Sequence, residues 1–478
     1  MFKPAVPIEI TQALEQKGYT LLIKGDAGTG KTTLSLELLS QAESKVYISS
    51  RITPSTLLKQ FPWLHDEEIT FIDATQTFVQ EDSIASQIER ALKFREMPGF
   101  LQKLYTVVKN KGGCPTVVID SWDAIKSGIL EDEIMIRRSE SVLAEMVRYL
   151  KFNLILVVES KELYLDYISD GIVELRSEIY DNRRQRIVRI KKMRGVEINQ
   201  PEYLFSLSSG RFKYFKSIPR EIPFESTKSD IPVISNTDKR LFTCSKSLNE
   251  FFDYSLGKNT ITLIEIGEGV GHDYLWLIIP TIINQLSQKC GILIVPDEGM
   301  DYRSIYNVVS KYFPKEILQK NLLFFDFAPT YNDPPEFTKL IRTISKDVDL
   351  EKVITELTNA VVDFAENREK ENNIEEYNIT VIFGSNKFEN RFGVEGLKYY
   401  TEIFDEYVKL FRRSKMIYLA YYNQKLHKLL GHVVSASFKI ERIYNTLVIY
   451  GILPFTKLHA IMINLDKGYP EVALYPIV

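Results

Sequence analysis

The chain has 478 residues, 45% of them hydrophobic and 26% charged, with 60 Lys and Arg against 63 Asp and Glu for a net charge of −3. That length exceeds one ordinary core and sets an expectation of two or three domains, while the near balance of charge excludes whole-chain attraction to nucleic acid or to an anionic membrane. Cys114, Cys244 and Cys290 lie far apart without a C-x-x-C spacing, which excludes a disulfide framework or a zinc knuckle. No apolar run reaches the ~18 residues needed to span a bilayer. The stretch Met1-Phe2-Lys3-Pro4-Ala5-Val6-Pro7 lacks a secretory core, so a cytoplasmic location is expected.

Residues 8–18 read as a short helix and 20–24 as a strand. That strand runs into Gly25-Asp26-Ala27-Gly28-Thr29-Gly30-Lys31-Thr32-Thr33, which matches G-x-x-x-x-G-K-[ST] at every fixed position and leads into a helical pattern with Leu34, Leu38 and Leu39. Glycines allow the backbone to curl its N–H groups around a phosphate, and the following helix adds the positive end of its dipole. Lys31 is placed to reach the β- and γ-phosphates and the Thr32 hydroxyl to ligate Mg²⁺. All nine residues 25–33 are therefore candidate nucleotide-binding residues, with ATP and Mg²⁺ as the expected ligands.

Further strands are predicted at 45–50, 69–73 and 115–120, with helical spacing over 80–95 (Ile84, Ile88, Leu92), a stop at Met97-Pro98-Gly99 and a helix resuming to Lys109. Asp120 ends a buried β-branched run at ordinary distance from a complete phosphate loop, which makes it the candidate Mg²⁺ carboxylate beside Thr32. A helix through Tyr149 leads to the buried strand Leu154-Ile155-Leu156-Val157-Val158 and Glu159. Strands alternating with helices predict a mainly parallel sheet flanked on both faces. After Tyr167 the pattern is strand-only, at 171–175, 186–190 and 204–207, which predicts antiparallel strands closing the domain.

Residues 217–238 carry three prolines and many Ser and Thr without periodicity, so a linker is expected between domains at 1–216 and 239–478. Past it the outline repeats. A strand at 259–265 enters Gly267-Glu268-Gly269-Val270-Gly271-His272-Asp273; further strands follow at 292–295, 379–384 and 416–421, and a strand-rich end begins at Val433. His272 and Asp273 stand where Lys and Thr stood, and Gly384 stands for the strand-end carboxylate. An aspartate in the loop repels phosphate with no lysine to offset it, so this copy is expected to hold no nucleotide.

The segments Gly25–Leu34, Val117–Asp120 and Ser169-Asp170-Gly171-Ile172-Val173-Glu174-Leu175 resemble the KaiC-like branch of the RecA superfamily, as does Lys192-Met193-Arg194-Gly195 against that branch's K-x-R-G tail. Within the branch, Tyr47–Pro54 and Gln60-Phe61-Pro62-Trp63 resemble the P-loop domain of the gas-vesicle regulator GvpD. The resemblance implies an α/β fold of two tandem RecA-like P-loop domains, the C-terminal copy degenerate. It implies catalytic glutamates at the tip of the strand after the phosphate loop, where this chain has Ser49, Ser50 and Arg51, so hydrolysis is expected to be slow or absent. It also places the strand after the Asp120 strand next to the loop strand, which would turn Glu159 toward the γ-phosphate as sensor or water-positioning group, with Asp123 as the alternative. In the family, residues like Lys192 and Arg194 reach a neighbouring subunit's nucleotide, which implies self-association.

The expected function is an ATP-binding regulatory switch acting on a protein partner, with Lys31, Glu159, Lys192 and Arg194 as candidate catalytic residues. The alternative is a RecA-related DNA-dependent ATPase, using the basic run Arg183, Arg184, Arg186, Arg189, Lys191, Lys192 and Arg194 against a phosphate backbone. KaiC-like kinase activity is a third reading. Phe61-Pro62-Trp63, Tyr164 and Tyr167 read as core or interface aromatics, and His65, His427, His432 and His459 show no paired ligand spacing.

Overall fold

The computed structural model describes residues 6–74, 99–129, 133–159, 164–216, 231–297, 300, 302–327, 339–345, 347–372, 377–394, 396, 414–421, 434–467 and 469–478. The helical stretch expected at 80–95, most of the 217–238 linker, His427 and His432 lie outside them. The chain divides into two compact units, 1–216 with 477–478, and 217–476. Among the described residues no helix is long and apolar enough to cross a membrane.

The first unit is built on β1 (Thr20–Gly25), β2 (Lys45–Ser49), β3 (Ile69–Asp73), β4 (Thr116–Asp120), β5 (Asn153–Val158), β6 (Gly171–Tyr180), β7 (Arg183–Met193), β8 (Glu202–Ser206) and β9 (Lys213–Tyr214). Their order across the sheet is β3-β2-β4-β5-β1-β6-β7-β8-β9. The first six run parallel, and β7, β8 and β9 are added antiparallel. Alternation assigns the two faces. Leu22, Val46, Ile48, Val117, Ile119, Leu154 and Leu156 pack into one core, and Leu21, Ile23, Tyr47, Val118 and Ile155 into the other. Helix α1 (Ile8–Leu14) precedes β1, and helix α2 (Lys31–Ser40), which starts at the phosphate loop, brings Leu34, Leu36, Leu38 and Leu39 to that second face.

Strands β6 and β7 are longer than their apolar stretches predict. They join through Asp181 and Asn182, at φ 44° and 60°, the two left-handed residues of a tight hairpin turn whose twist matches that of the strands. The polar residues of this ribbon pair across it from Tyr180↔Arg183 to Gly171↔Met193.

In the second unit the strands are β10 (Thr260–Ile266), β11 (Gly291–Val295), β12 (Leu322–Phe327), β13 (Ile341–Ile344), β14 (Ile379–Gly384), β15 (Ser414–Tyr421), β16 (Ala436–Ile443), β17 (Thr446–Leu453), β18 (His459–Asn464) and β19 (Glu471–Pro476). Their order is β13-β12-β11-β14-β15-β10-β16-β17-β18-β19. This is the first sheet's arrangement with β13 added beyond the outer parallel strand. Again a strand parallel to the loop strand, here β16, turns into an antiparallel partner through two left-handed residues, Tyr444 (φ 45°) and Asn445 (φ 60°). Two mainly parallel sheets, each closed by antiparallel strands, give the tandem RecA-like architecture. Residues 231–238 are held against the helix Leu275–Ser287: Asn284 exchanges hydrogen bonds with both backbone groups of Ile234, and Gln285 and Gln288 bond Asn236.

One buried charge in the second sheet sets a pH dependence. Lys415 in β15 is 3% exposed, and burial lowers its ammonium to about 8. Between that value and the unfolded value near ~10.4 the unfolded chain binds more protons, so stability rises as the pH rises. Lys415→Met is expected to stabilise the second unit at pH 7 by about 2–3 kcal/mol and to flatten the rise between about pH 8 and 10, read from urea midpoints.

Candidate nucleotide-binding site

Gly25 leaves β1 at φ 150°, where a Cβ would meet the Leu175 carbonyl at 2.4 Å and Thr29 Oγ1 at 2.8 Å. Gly30, at φ 102°, is the N-cap of α2, and a Cβ there would strike Leu207 at 2.8 Å. Both positions need a left-handed backbone, and at Gly25 the Leu175 carbonyl leaves no room for a side chain. Between them the loop is braced internally. Thr29 Oγ1 donates to the Asp26 carbonyl (2.8 Å), and Arg186, reaching across from β7, donates to the carbonyls of Gly28 (3.1 Å) and Thr29 (3.2 Å). Lys31 Nζ lies over the loop, donating to the carbonyls of Gly25 and Asp26 at 2.8 Å each.

Because β5 lies between β4 and β1, Asp120 and Glu159 arrive at the same sheet edge as the loop. Asp120 Oδ2 accepts from Thr32 Oγ1 (2.6 Å) and from Tyr47 Oη (2.7 Å). Tyr47 reaches it because the register pairs Tyr47 with Val118 and Ser49 with Asp120, which sets the tyrosine diagonally from the carboxylate on one face. Burial and the neighbouring Asp120 hold the Tyr47 hydroxyl well above its ordinary pKa, so it stays a donor. Glu159 Oε1 lies 3.8 Å from Lys31 Nζ. Its two oxygens accept from Arg51 Nη1 (2.7 Å) and Nη2 (3.1 Å). Asp123, the alternative to Glu159, instead accepts from the Glu159 backbone N–H (2.5 Å) and pairs with Lys126 (3.2 Å).

Lys31, Thr32, Tyr47, Arg51, Asp120 and Glu159 line a cavity of about 350 Å³, together with Gly28, Gly30, Thr33, Ser49 and Ile52; Asp123 does not line it. Burial lowers the Lys31 ammonium, and Glu159 and Asp120 act against that shift. The Arg51 guanidinium holds the Glu159 carboxyl below its usual range. With side chains 46% and 33% exposed, the Arg51–Glu159 pair is screened and worth at most ~1 kcal/mol. Thr32 and Asp120 are oxygen donors 2.6 Å apart at the start of α2, a set that suits Mg²⁺. Thr32 Oγ1 and Asp120 would hold it. Bound there, the ion would neutralise charge on the terminal phosphates of a nucleotide.

Residues 10–214 match the family described as "ATPase: KaiC". Over 97% of its length the chain is similar to Protein GvpD2 of Halobacterium salinarum, at 23% identity and across 94% of that protein. Protein GvpD1 of the same organism is 24% identical over 69% of this chain and 63% of its own. The circadian clock oscillator protein KaiC of a Nostoc species is 26% identical over 41% of this chain and 40% of its own. The first unit is thus similar to a KaiC-type P-loop ATPase, and the chain as a whole to the GvpD proteins.

Other residues singled out by the sequence lie elsewhere in the KaiC-like unit. Lys192 and Arg194 are at the opposite end of the sheet from the loop: Met193 pairs with Gly171, at the start of β6. Lys192 Nζ donates to the carbonyls of Asp166 (2.8 Å) and Ser169 (2.6 Å), and Arg194 pairs with Asp170 (3.1 Å). Neither enters this chain's own cavity. The basic run of β7 is partly offset: Arg183 pairs with Asp181 of the turn, and Arg189 and Lys191 pair across strands with Glu202 and Glu174. Tyr47 and the loop contact of Arg186 escaped the sequence reading, since both depend on strand register rather than on local pattern.

In the second unit Asp273 forms an ion pair with Arg442 of β16, whose Nε also donates to the Gly269 carbonyl (3.0 Å). The loop aspartate is thus neutralised from within the unit, which corrects the expectation of an unoffset charge. Val270–Leu277 turns through i+3 hydrogen bonds, so the helix begins only at Leu275, past His272 and Asp273. A Cβ at Gly384 would lie 2.5 Å from Asp297 Cβ. Asp297, following β11, therefore fills the room of the absent strand-end carboxylate, accepting from Asn386 N (2.9 Å).

Helix α2 is anchored from behind by Glu37, 2% exposed, which accepts from Arg211 Nε (2.8 Å) and Nη2 (2.6 Å). That guanidinium lies 4.1 Å from the Trp63 ring. Arg211→Met strands a buried carboxylate and is expected to cost about 3–5 kcal/mol, while the double variant with Glu37→Met recovers most of the loss in denaturant melts of the whole chain.

Proposed function

We propose that this chain is a cytoplasmic ATP-binding regulatory protein whose N-terminal domain, expected over 1–216, takes Mg·ATP and whose C-terminal domain, expected over 239–478, is a nucleotide-free scaffold. The observation that carries this reading is the pairing at the tip of β2. A turnover enzyme of this kind needs a carboxylate there to position water. The chain has Arg51 instead, and Arg51 engages Glu159, the carboxylate nearest Lys31. Such a site favours holding a triphosphate over cleaving it, and its output is conformational. Lys31, Thr32, Thr33 and the loop backbone bind phosphate, Thr32 and Asp120 hold Mg²⁺, and Glu159 responds to the γ-phosphate.

Internal neutralisation of Asp273 by Arg442 supports a second unit that does not use its loop for phosphate. Arg194, about half exposed at the far end of the first sheet, is available to a neighbouring copy, as the similarity to KaiC suggests, so self-association or a protein partner fits this face. A DNA-dependent ATPase is disfavoured, because Arg183, Arg189, Lys191 and Arg194 of the basic run already meet Asp181, Glu202, Glu174 and Asp170, and Arg186 and Lys192 are engaged on backbone carbonyls.

Two measurements test this together: nucleotide binding, and turnover with and without DNA. Wild type is expected to bind Mg·ATP and Lys31→Ala to bind it about 100-fold more weakly, with turnover well under ~1 s⁻¹ and unchanged by DNA. His272→Ala should leave binding unaltered. No affinity for Mg·ATP, or turnover rising many-fold with DNA, overturns the reading.

A further inference from the structure

After β2 the chain turns through Ser49-Ser50-Arg51-Ile52 into helix α3 (Pro54–Gln60). The turn is tied down on both sides of Arg51. Ser49 Oγ donates to the Ile52 carbonyl, and Ser50 Oγ bonds both the N–H (2.8 Å) and the carbonyl (2.9 Å) of Ser121. Arg51's own side chain has solvent around it, being 46% exposed.

Its guanidinium makes a two-pronged contact with Glu159, and Lys31 approaches one of the same oxygens. Oε1 lies 2.7 Å from Arg51 Nη1 and 3.8 Å from Lys31 Nζ. One anionic oxygen is therefore shared by the phosphate-loop lysine and an arginine, inside a cavity that Thr32 and Asp120 also line. An ordinary surface ion pair would not share its oxygen with a lysine that is only 6% exposed.

We propose that Arg51 is the receptor for the terminal phosphate of a nucleoside triphosphate, that Glu159 occupies the same guanidinium as an internal anion, and that exchanging carboxylate for phosphate selects triphosphate over diphosphate. This rests on the reading of the cavity as a nucleotide site. A phosphate group carries more charge than a carboxylate and offers three oxygens to the same planar fork. The outgoing pair is solvent-screened and easily broken. Asp123 keeps the Glu159 backbone N–H in place, so the exchange needs side-chain movement and no strand movement. A diphosphate lacks the group that Arg51 would take, and leaves the Arg51–Glu159 pair closed. Thr53, two residues on, caps α3 through Oγ1 and the Thr56 N–H (3.4 Å), so that helix begins directly after the turn that carries Arg51.

The test uses the full chain with Mg²⁺, the non-hydrolysable analogue AMP-PNP, and ADP. Wild type should prefer the analogue by at least about tenfold. Arg51→Ala should lose about tenfold in analogue affinity with ADP affinity within about twofold, and Arg51→Lys, which keeps the charge without the fork, should fall between. Glu159→Gln should keep or increase the preference. Amide hydrogen exchange over residues 49–60 should slow with the analogue and not with ADP in wild type, and respond to neither in Arg51→Ala. An unchanged preference in Arg51→Ala, or its loss in Glu159→Gln, overturns the assignment. If wild type binds both nucleotides equally, the assignment of Arg51 fails and the nucleotide site stands; if it binds neither, both fail.

Discussion

Three parallel strands side by side, β1, β5 and β4, set what the first unit can do. Their register pairs Lys24 with Val158 and Asp120 with Val157, so the loop after β1, the carboxylate ending β4 and Glu159 beyond β5 all emerge at one sheet edge. Parallel strands need crossover helices, and those helices bury the sheet on both sides. The edge where the strands end is left as the place where polar groups can gather. Residues 31, 120 and 159 meet there as a consequence of strand order, with Lys31 against the loop carbonyls and Asp120 held by two hydroxyls.

The second unit shows the same constraint with different chemistry. Its strand order again sets one strand, β15, between the loop strand β10 and β14, the counterpart of β4. The loop strand again ends in glycines, yet the charges have been rearranged. Arg442 reaches in from β16 to Asp273, and Asp297 takes the room at Gly384. In the first unit the corresponding basic contact comes from Arg186, which holds loop carbonyls rather than a loop carboxylate. An arginine that binds carbonyls stiffens a phosphate loop and leaves its lysine available; one that neutralises an internal aspartate spends its charge on the chain itself. Fold and site have separated here, as is general for a scaffold used twice.

Much of this was legible in the sequence because the signals were local. The phosphate loop, the apolar strands and the repeat of both in the second half are patterns a few residues long, and their elements fall close to the expected positions. Strands β6 and β7 were underestimated because their outer halves are polar and owe their pairing to the Asp181-Asn182 turn. Strand β12, the apolar run Leu322–Phe327, follows a helix with no turn signal between them and was not separated from its surroundings. What the sequence could not give was partnership across strands. Tyr47 was one apolar residue in a strand until register set it beside Asp120. The run from Arg183 to Arg194 looked like an unshielded patch because its acidic partners, Glu174 and Glu202, sit on neighbouring strands.

The same point governs how the site is understood. Arg51 is a departure from a catalytic pattern when read along the chain, since a cation stands where a carboxylate would activate water. Across the sheet it is half of a pair, with the carboxylate supplied by β5 instead of β2. A carboxylate beside the γ-phosphate and an arginine behind it would favour cleavage; an arginine able to take the phosphate, with its carboxylate displaced, favours retention. The Arg51–Glu159 pair is weak, being solvent-screened, and weakness suits a switch, because a contact that a ligand must break subtracts its own strength from binding. A carboxylate buried as deeply as Glu37, at 2% exposure against 33% for Glu159, would lock the site. The one at its mouth is exposed enough to yield.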